Sequence, residues 1–216
     1  MSLLPTIAAI RKNYALQSLS EESVAGEPTH QFKVWMEAAI AAEVNEPTAM
    51  VLSTVNGTGR PSARVVLLKD VTPDGFVFFT NYQSRKGHDL EENPLAALTF
   101  FWPELERQVR IEGSIEKVEA AVSDAYFHSR PTGSQIGAWA SPQSKRIGSR
   151  EELEQADANY AAKFANEPVI PRPEHWGGYI LKPELVEFWQ GRPNRLHDRI
   201  VYEKQDSGWQ LNRLAP

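Results

Sequence analysis

Five consecutive residues near the end of the chain, Arg195-Leu196-His197-Asp198-Arg199, set two guanidiniums, an imidazole and a carboxylate side by side. Glu187-Phe188-Trp189-Gln190 precedes them across the stretch Gly191-Arg192-Pro193-Asn194. A permanent positive charge beside a group that titrates near neutral pH suits a small anionic substrate whose reaction moves protons. Apolar alternation reads as two strands, 184–190 and 197–204, joined by a turn at 191–194. Arg195 and His197 are alternate residues, so they would share a strand face. A solvated hairpin with scattered charges has the same local pattern, and these residues alone leave both readings open.

Two other groups carry charge chemistry. Ser84-Arg85-Lys86 follows a strand and opens a helix at about 84–92, where free backbone N–H groups favour an anion. The helix dipole adds only ~0.3–1 kcal/mol, so Arg85 and Lys86 must supply most of the attraction through charge-assisted hydrogen bonds. An ordinary capped helix with exposed basic residues is the plainer alternative. Tyr126, Arg130 and Ser134 recur at intervals of four, with Tyr126 and Arg130 on one face of a helix that stops at Pro131. Together with Lys69 they offer two cations and two hydroxyls to a phosphate.

The spacing of Glu187–Gln190 and Arg195–Arg199 closely resembles the signature of pyridoxamine (pyridoxine) 5′-phosphate oxidases. The likeness extends to Arg64–Lys69, Thr80–Lys86, Gln108–Gly113, Ser129–Pro131, Ser141–Ser144 and Arg213–Pro216, and more weakly to Arg11–Tyr14. It implies an FMN-binding split β-barrel, α+β in class, that forms a homodimer with flavin at the subunit interface. The implied reaction oxidises pyridoxamine or pyridoxine 5′-phosphate with O2 to pyridoxal 5′-phosphate and H2O2, with ammonia released from the amine.

By the same resemblance the FMN contacts are Arg64, Val65, Val66, Leu67, Leu68, Lys69, Phe79, Thr80, Arg85, Lys86, Gln108, Gln143, Ser144, Trp189 and Arg199. Arg64, Lys86 and Ser144 suit the flavin phosphate, Gln108 the polar edge of the ring, and Trp189 an apolar part of it. Some relatives carry Tyr where Phe79 stands, so a phenol contact is lost here. Substrate binding maps to Lys69, Tyr126, Arg130, Ser134, Arg195, Leu196 and His197, with Arg195 and His197 as the catalytic pair. Arg11, Lys12, Asn13 and Tyr14 correspond to a segment that folds over the site as a lid. Arg64 and Lys69 are five apart, which puts them on opposite faces of a regular strand. Either a bulge intervenes or they serve different ligands, and the second option is preferred. A split-barrel flavin reductase with another substrate, or a non-catalytic binder of flavin or pyridoxal phosphate, is the rival reading. The intact Arg-Leu-His-Asp-Arg run counts against both.

These groups need a scaffold. Residues 1–27 read as a short helix and a polar, mobile stretch, with one domain following from 28 to 216. Residues 29–44 read as a helix capped by Thr29, burying Phe32, Trp35, Met36, Ala39 and Ile40. From residue 47 the period turns to strand: 48–55, 61–71, 76–81, 95–102, 108–118, 176–182, 184–190, 197–204 and 209–214. Asn56-Gly57, Thr72–Gly75 and Asp206–Gly208 mark turns. Strands at this spacing suggest an antiparallel sheet that curls into a barrel, interrupted by helices at about 84–92, 119–130 and 149–165. Ser149 with Glu152 reads as a capping box.

Composition narrows the classes. A chain of 216 residues suits one domain that buries roughly 70% of its unfolded surface. Hydrophobic residues make up 41% and charged residues 24%, which is ordinary for a globular protein. A net charge of −5 argues against nucleic-acid affinity while leaving room for a local anion site. The chain has no cysteine, which excludes disulfides, thiolate catalysis and Cys-ligated metals. Its five histidines form no close ligand array, so no metal site is expected. No signal peptide or membrane-length apolar run is legible, and a cytoplasmic protein is expected.

Overall fold

The computed structural model describes residues 7 and 9–216. The short helix expected at the start of the chain falls mostly on residues 1–6 and 8, outside the described residues. Nine strands form among the described residues: β1 (Ala49–Val55), β2 (Pro61–Leu67), β3 (Asp70–Thr72), β4 (Gly75–Asn81), β5 (Leu95–Trp102), β6 (Arg107–Lys117), β7 (Trp176–Gln190), β8 (Asp198–Gln205) and β9 (Gly208–Arg213). The helices are α1 (Pro28–Ala41), α2 (Arg85–Glu92), α3 (Ala120–Ser129), α4 (Thr132–Ala140) and α5 (Arg150–Phe164). The sheet runs β2-β1-β5-β6-β7-β4-β3, with β8 on β7 and β9 on β8. An antiparallel sheet with peripheral helices is the fold class read from the sequence.

The strands follow from alternation and from their turns. Met50, Leu52 and Thr54 of β1 are buried, while β2 presents Val65 and Leu67 outward. The β1–β2 turn is where Asn56-Gly57 put it, but its left-handed residue is Gly59, at φ +82°. Asn56 instead uses its side-chain oxygen to accept the N–H groups of Thr58 (3.2 Å) and Arg60 (2.9 Å). The expected strand 61–71 breaks at Leu68-Lys69, whose amides turn to different partners, Thr48 just before β1 and Val77 on β4. The strands expected at 176–182 and 184–190 are one. Pro183 interrupts nothing, because β7 pairs with β4 up to Leu181 and with β8 only from Leu185.

The helices show where local signals compete. α1 begins at Pro28, a residue suited to the first helical position, so Glu27 rather than Thr29 is the cap. Phe32, Trp35 and Ala39 are buried as expected, whereas Ile40 is 58% exposed and off that face. Ser149 does precede α5, but Glu152 accepts the N–H of Gly148 at 3.0 Å, so the capping box does not form. α4 was not legible, since its two glycines lower helix propensity.

By its contacts the chain divides into two compact units. The first unit comprises residues up to Pro47, Thr99–Ile111 and Glu184–Pro216. Its core includes Phe32 on Phe100 (4.9 Å between centroids) and Trp35 on Phe188 (5.1 Å). The second unit comprises Thr48–Leu98 and Glu112–Pro183, with Phe127, Phe164, Ile170 and Trp176 as one of its core clusters. No helix among the described residues is long and apolar enough to cross a membrane.

Candidate active site

In the second unit, β2 and the start of α2 bring cations together. Arg64 donates to Leu52 O (3.2 Å), to Thr54 Oγ1 (2.7 Å) and to Ser62 Oγ, and lies 3.6 Å from the Asp89 carboxylate. Thr54 in turn donates to Asp89 at 2.6 Å. These bonds hold the guanidinium rigidly. Lys86 is only 9% exposed, and its ammonium donates to Thr80 Oγ1 (2.9 Å), Ser84 Oγ (3.2 Å) and Gln143 Oε1 (2.7 Å). All three are neutral acceptors. Burial, with Arg64 adding repulsion, pulls Lys86 down to about 8. An ammonium in that position favours an added anion. The helix expected at about 84–92 forms with Ser84 as its cap rather than its first residue, and Arg85 stands exposed at its first turn. Ser144 lies in a turn with φ +70°, one residue beyond Gln143.

An aromatic stack stands in the same unit. Phe79 stacks on Tyr126 (4.0 Å, 20°) and runs nearly parallel to Trp176 (5.6 Å, 12°). Lys69, Phe79 and Tyr126 line a cavity of about 730 Å³ with Lys117 and Lys182 at its edge. Lys69 and Tyr126 therefore come together as expected. Arg130 does not share a helical face with Tyr126: α3 ends at Ser129, and Arg130 is extended at φ −77°, ψ 150°. Pro131 imposes that conformation on the residue before it. Its guanidinium lies 4.5 Å from the Trp176 ring centre, and Nη1 is buried with no hydrogen-bond partner. Burial lowers the Arg130 pKa, with Tyr126 opposing. Ser134 is exposed on α4 and outside that cavity's lining.

In the first unit, a cavity of about 730 Å³ is lined by Arg11, Lys12, Tyr14, Arg192, Arg195 and His197, among others. Arg195 and His197 are not on a strand face. Pro193–Arg195 forms a 3₁₀ turn, Asn194 and Arg195 are left-handed (φ +58° and +63°), and β8 begins only at Asp198. They nevertheless open into one pocket. Leu196 is 69% exposed between them. Trp189, Tyr14 and His197 form a ring cluster, with centroids 4.6 Å apart for Trp189–His197 and 5.7 Å for Tyr14–Trp189.

His197 has a defined tautomer. The backbone N–H of Arg192 donates to its Nδ1 at 3.1 Å. Nδ1 is thus an acceptor, and a neutral ring carries its proton on Nε2. Burial lowers the imidazole pKa, Arg195 lowers it further, and Asp198 opposes them. Asp198 itself pairs with Arg213 (2.9 Å) and Arg192 (3.4 Å) and accepts Leu19 N–H (3.0 Å). Arg199 is gripped on both carboxylate oxygens of buried Glu187 at 2.9 Å, which raises its pKa, and it donates to Ala215 O at 2.8 Å. Gln108 sits half-buried on β6.

A model of pyridoxamine 5′-phosphate oxidases matches residues 36–161, and one of the pyridoxine 5′-phosphate oxidase C-terminal dimerisation region matches 176–216. The chain belongs to the pyridoxamine 5′-phosphate oxidase family. Relatives named pyridoxine/pyridoxamine 5′-phosphate oxidase agree: that of Cupriavidus metallidurans is 56% identical over 97% of this chain and 99% of its own. That of Cyanothece sp. is 57% identical over 98% and 99%. Among solved structures, PhzG from Burkholderia lata 383, in complex with tetrahydrophenazine-1-carboxylic acid, superposes with a TM-score of 0.87. It is 31% identical, covering 94% of this chain and all of that one. An FMN-binding protein of Nostoc punctiforme shares the fold at TM-score 0.69 and 18% identity. This chain is therefore an oxidoreductase of the split-barrel type.

The family motifs led to Arg64, Lys86 and His197 but not to what braces them. Thr54 and Asp89 behind Arg64, Arg192 behind His197, and Glu106 beneath the N-terminal segment were all missed. None carries a local signal beyond being polar. Among the described residues, no group of three or more His, Cys, Asp or Glu could hold a metal ion.

Proposed function

We propose that the protein oxidises pyridoxamine or pyridoxine 5′-phosphate to pyridoxal 5′-phosphate, with O2 as acceptor, H2O2 as product, and ammonia released from the amine. One observation carries this reading: the second unit holds a buried ammonium, Lys86, and a half-buried guanidinium, Arg130, and neither has an anion beside it. Lys86 has only neutral acceptors, and Arg130 keeps a buried N–H with no acceptor at all. Two phosphates meet two such demands, one on FMN and one on the vitamer. FMN, when bound, would supply the redox chemistry: hydride acceptance from the substrate and reoxidation by O2.

Arg64, Lys86 and Ser144 would hold the flavin phosphate, with Thr80 and Gln143 orienting the Lys86 ammonium. Lys69, Tyr126 and Arg130 would hold the substrate phosphate. Arg195 would orient the substrate ring. His197, neutral and protonated on Nε2, would donate a hydrogen bond to the substrate rather than take its proton. For it to accept the substrate's proton at Nδ1, the hydrogen bond donated by the Arg192 N–H would have to break. Trp189 and Tyr14 exclude water from that side.

A homodimer belongs to the same reading. The match to a dimerisation region supports it, as does an uncharged outer stripe on β1 and β2 in which exposed Val51 pairs with exposed Val65. By family resemblance the flavin lies at the subunit interface.

Oxygen uptake by FMN-loaded protein given pyridoxamine 5′-phosphate tests the proposal, with product aldehyde read by absorbance. Uptake matched by aldehyde is expected. A yellow protein without uptake would overturn it in favour of a reductase or a carrier. The PhzG likeness makes a reduced phenazine acid the substrate to try next.

A further inference from the structure

Glu106 lies in the turn between β5 and β6 with a left-handed backbone, φ +54°. Pro103 and Glu104 beside it are exposed, yet Glu106 is 3% exposed. A buried carboxylate needs partners, and a left-handed non-glycine residue is strained. Its partners explain both. One carboxylate oxygen, Oε2, accepts the backbone N–H groups of Ala15 (2.8 Å) and Leu16 (3.1 Å). The other, Oε1, faces the Lys12 ammonium at 3.7 Å. The backbone carbonyl of the same residue accepts Gly191 N–H (2.8 Å) and Gln190 Nε2–H (3.2 Å).

The side chain therefore grips the segment that carries Tyr14, and the main chain grips the turn that leads to Arg195 and His197. The two meet closely. A Cβ on Gly191 would come within 2.8 Å of the Tyr14 side chain and 3.1 Å of Glu106 Cβ. Ala15 and Leu16 are themselves exposed and irregular, and the next tie along the segment is Gln17, which accepts from Arg107 and Arg192.

We propose that Glu106 is a positioning residue that clamps Lys12–Leu16 against the Gly191 turn and so keeps Tyr14 beside Trp189 and His197. It acts through the segment and touches neither substrate nor flavin. The inference rests on the reading of this pocket as the substrate-facing one.

The test compares Glu106→Asn and Glu106→Gln in the FMN-loaded enzyme. Asn tolerates the left-handed backbone but is one methylene too short to reach the two amides. Gln can set its carbonyl oxygen where Oε2 stands and keep both bonds. Ala15→Pro removes one donor from the segment and leaves Glu106 alone, which covers a failure of the Asn variant to fold. The readouts are hydrogen exchange at the Ala15 and Leu16 amides and steady-state kinetics with pyridoxamine 5′-phosphate. In Glu106→Asn, exchange should rise about 100-fold, and KM about tenfold with kcat within about threefold. Ala15→Pro should raise KM similarly, and Glu106→Gln should stay near the parent protein in both readouts. Unchanged exchange in Glu106→Asn overturns the clamp whatever KM does. Faster exchange with unchanged KM in both Glu106→Asn and Ala15→Pro overturns the substrate reading of the pocket, and the proposal with it.

Discussion

Each unit holds a cavity of about 730 Å³, and each holds a group of cations, Arg64 and Lys86 outside the cavity lining in the second unit and Arg192 and Arg195 within it in the first; the two groups are built in opposite ways. In the second unit the charged groups stand on regular elements. Arg64 is in β2, Lys86 in α2, and the aromatic stack joins β4, α3 and β7. In the first unit the pocket is made from an irregular N-terminal segment and a 3₁₀ turn with two left-handed residues. Groups on strands and helices are held by the ladder itself. Groups on loops are held one hydrogen bond at a time, by Glu106, Asp198 and Arg192. The contrast suits a division of labour in which the second unit anchors and the first adapts.

The largest effect should come from the anchor. Lys86→Ala should weaken FMN about 100-fold or more, because a charge-assisted bond to phosphate is lost from a buried site. Arg64→Ala should act in the same direction, and substrate affinity should move far less in both. Fluorescence titration of FMN reads this, and an unchanged affinity in both variants would put the anchor elsewhere.

The next effect belongs to the adaptable side. Arg195→Ala and His197→Asn should each lower kcat by about 100-fold while the protein stays yellow. Colour lost from either variant would merge the two roles that the comparison separates.

A smaller effect is pH-dependent and sharpens the anchor. Lys86 titrates at about 8 in the folded chain, against 10.5 for an ordinary lysine. The unfolded chain therefore binds more protons between these values, and the flavin-free protein gains stability as pH rises through that window. FMN affinity should run the other way. It falls above pH 8 as the ammonium is lost, approaching about tenfold per pH unit if one proton is coupled. Lys86→Arg should flatten that profile, and an identical slope in the variant would assign the titration to another group.

The smallest effect tests the first unit's outer ties. Arg213 pairs with Glu21 at 2.7 Å on the surface, where ion pairs contribute little. Arg213→Ala should lower Tm by less than about 3 °C. A drop several times larger would show that the first unit depends on this tie for its folding.

What the sequence made legible follows the same division. The place of α2, the β1–β2 hairpin and most sheet strands were readable because alternation and turn signals are local. The place of Arg195 and His197 was not. Pro193 starts the turn and Asn194 tolerates a left-handed backbone, but nothing local announces a left-handed Arg195. Alternation then suggested a strand face where none exists. Arg130 was misplaced because the helical spacing to Tyr126 outweighed the effect of Pro131 on its predecessor. Glu106 was invisible because its partners lie about 90 residues earlier in the chain.

The Arg213 contacts have a mechanical consequence. Glu21 and Arg213 stand 192 positions apart and are joined by two hydrogen bonds, while Arg213 also reaches Leu19 O at 3.1 Å. The intervening chain is thereby a closed loop fastened by a surface clasp. A pull applied through its two ends would load that clasp together with the last pair of the β8–β9 ladder, where Arg213 faces Ile200. A short covalent linker across the same gap, with the chain opened at an exposed turn such as Gly57–Gly59, would carry that load instead and leave the order of strands intact.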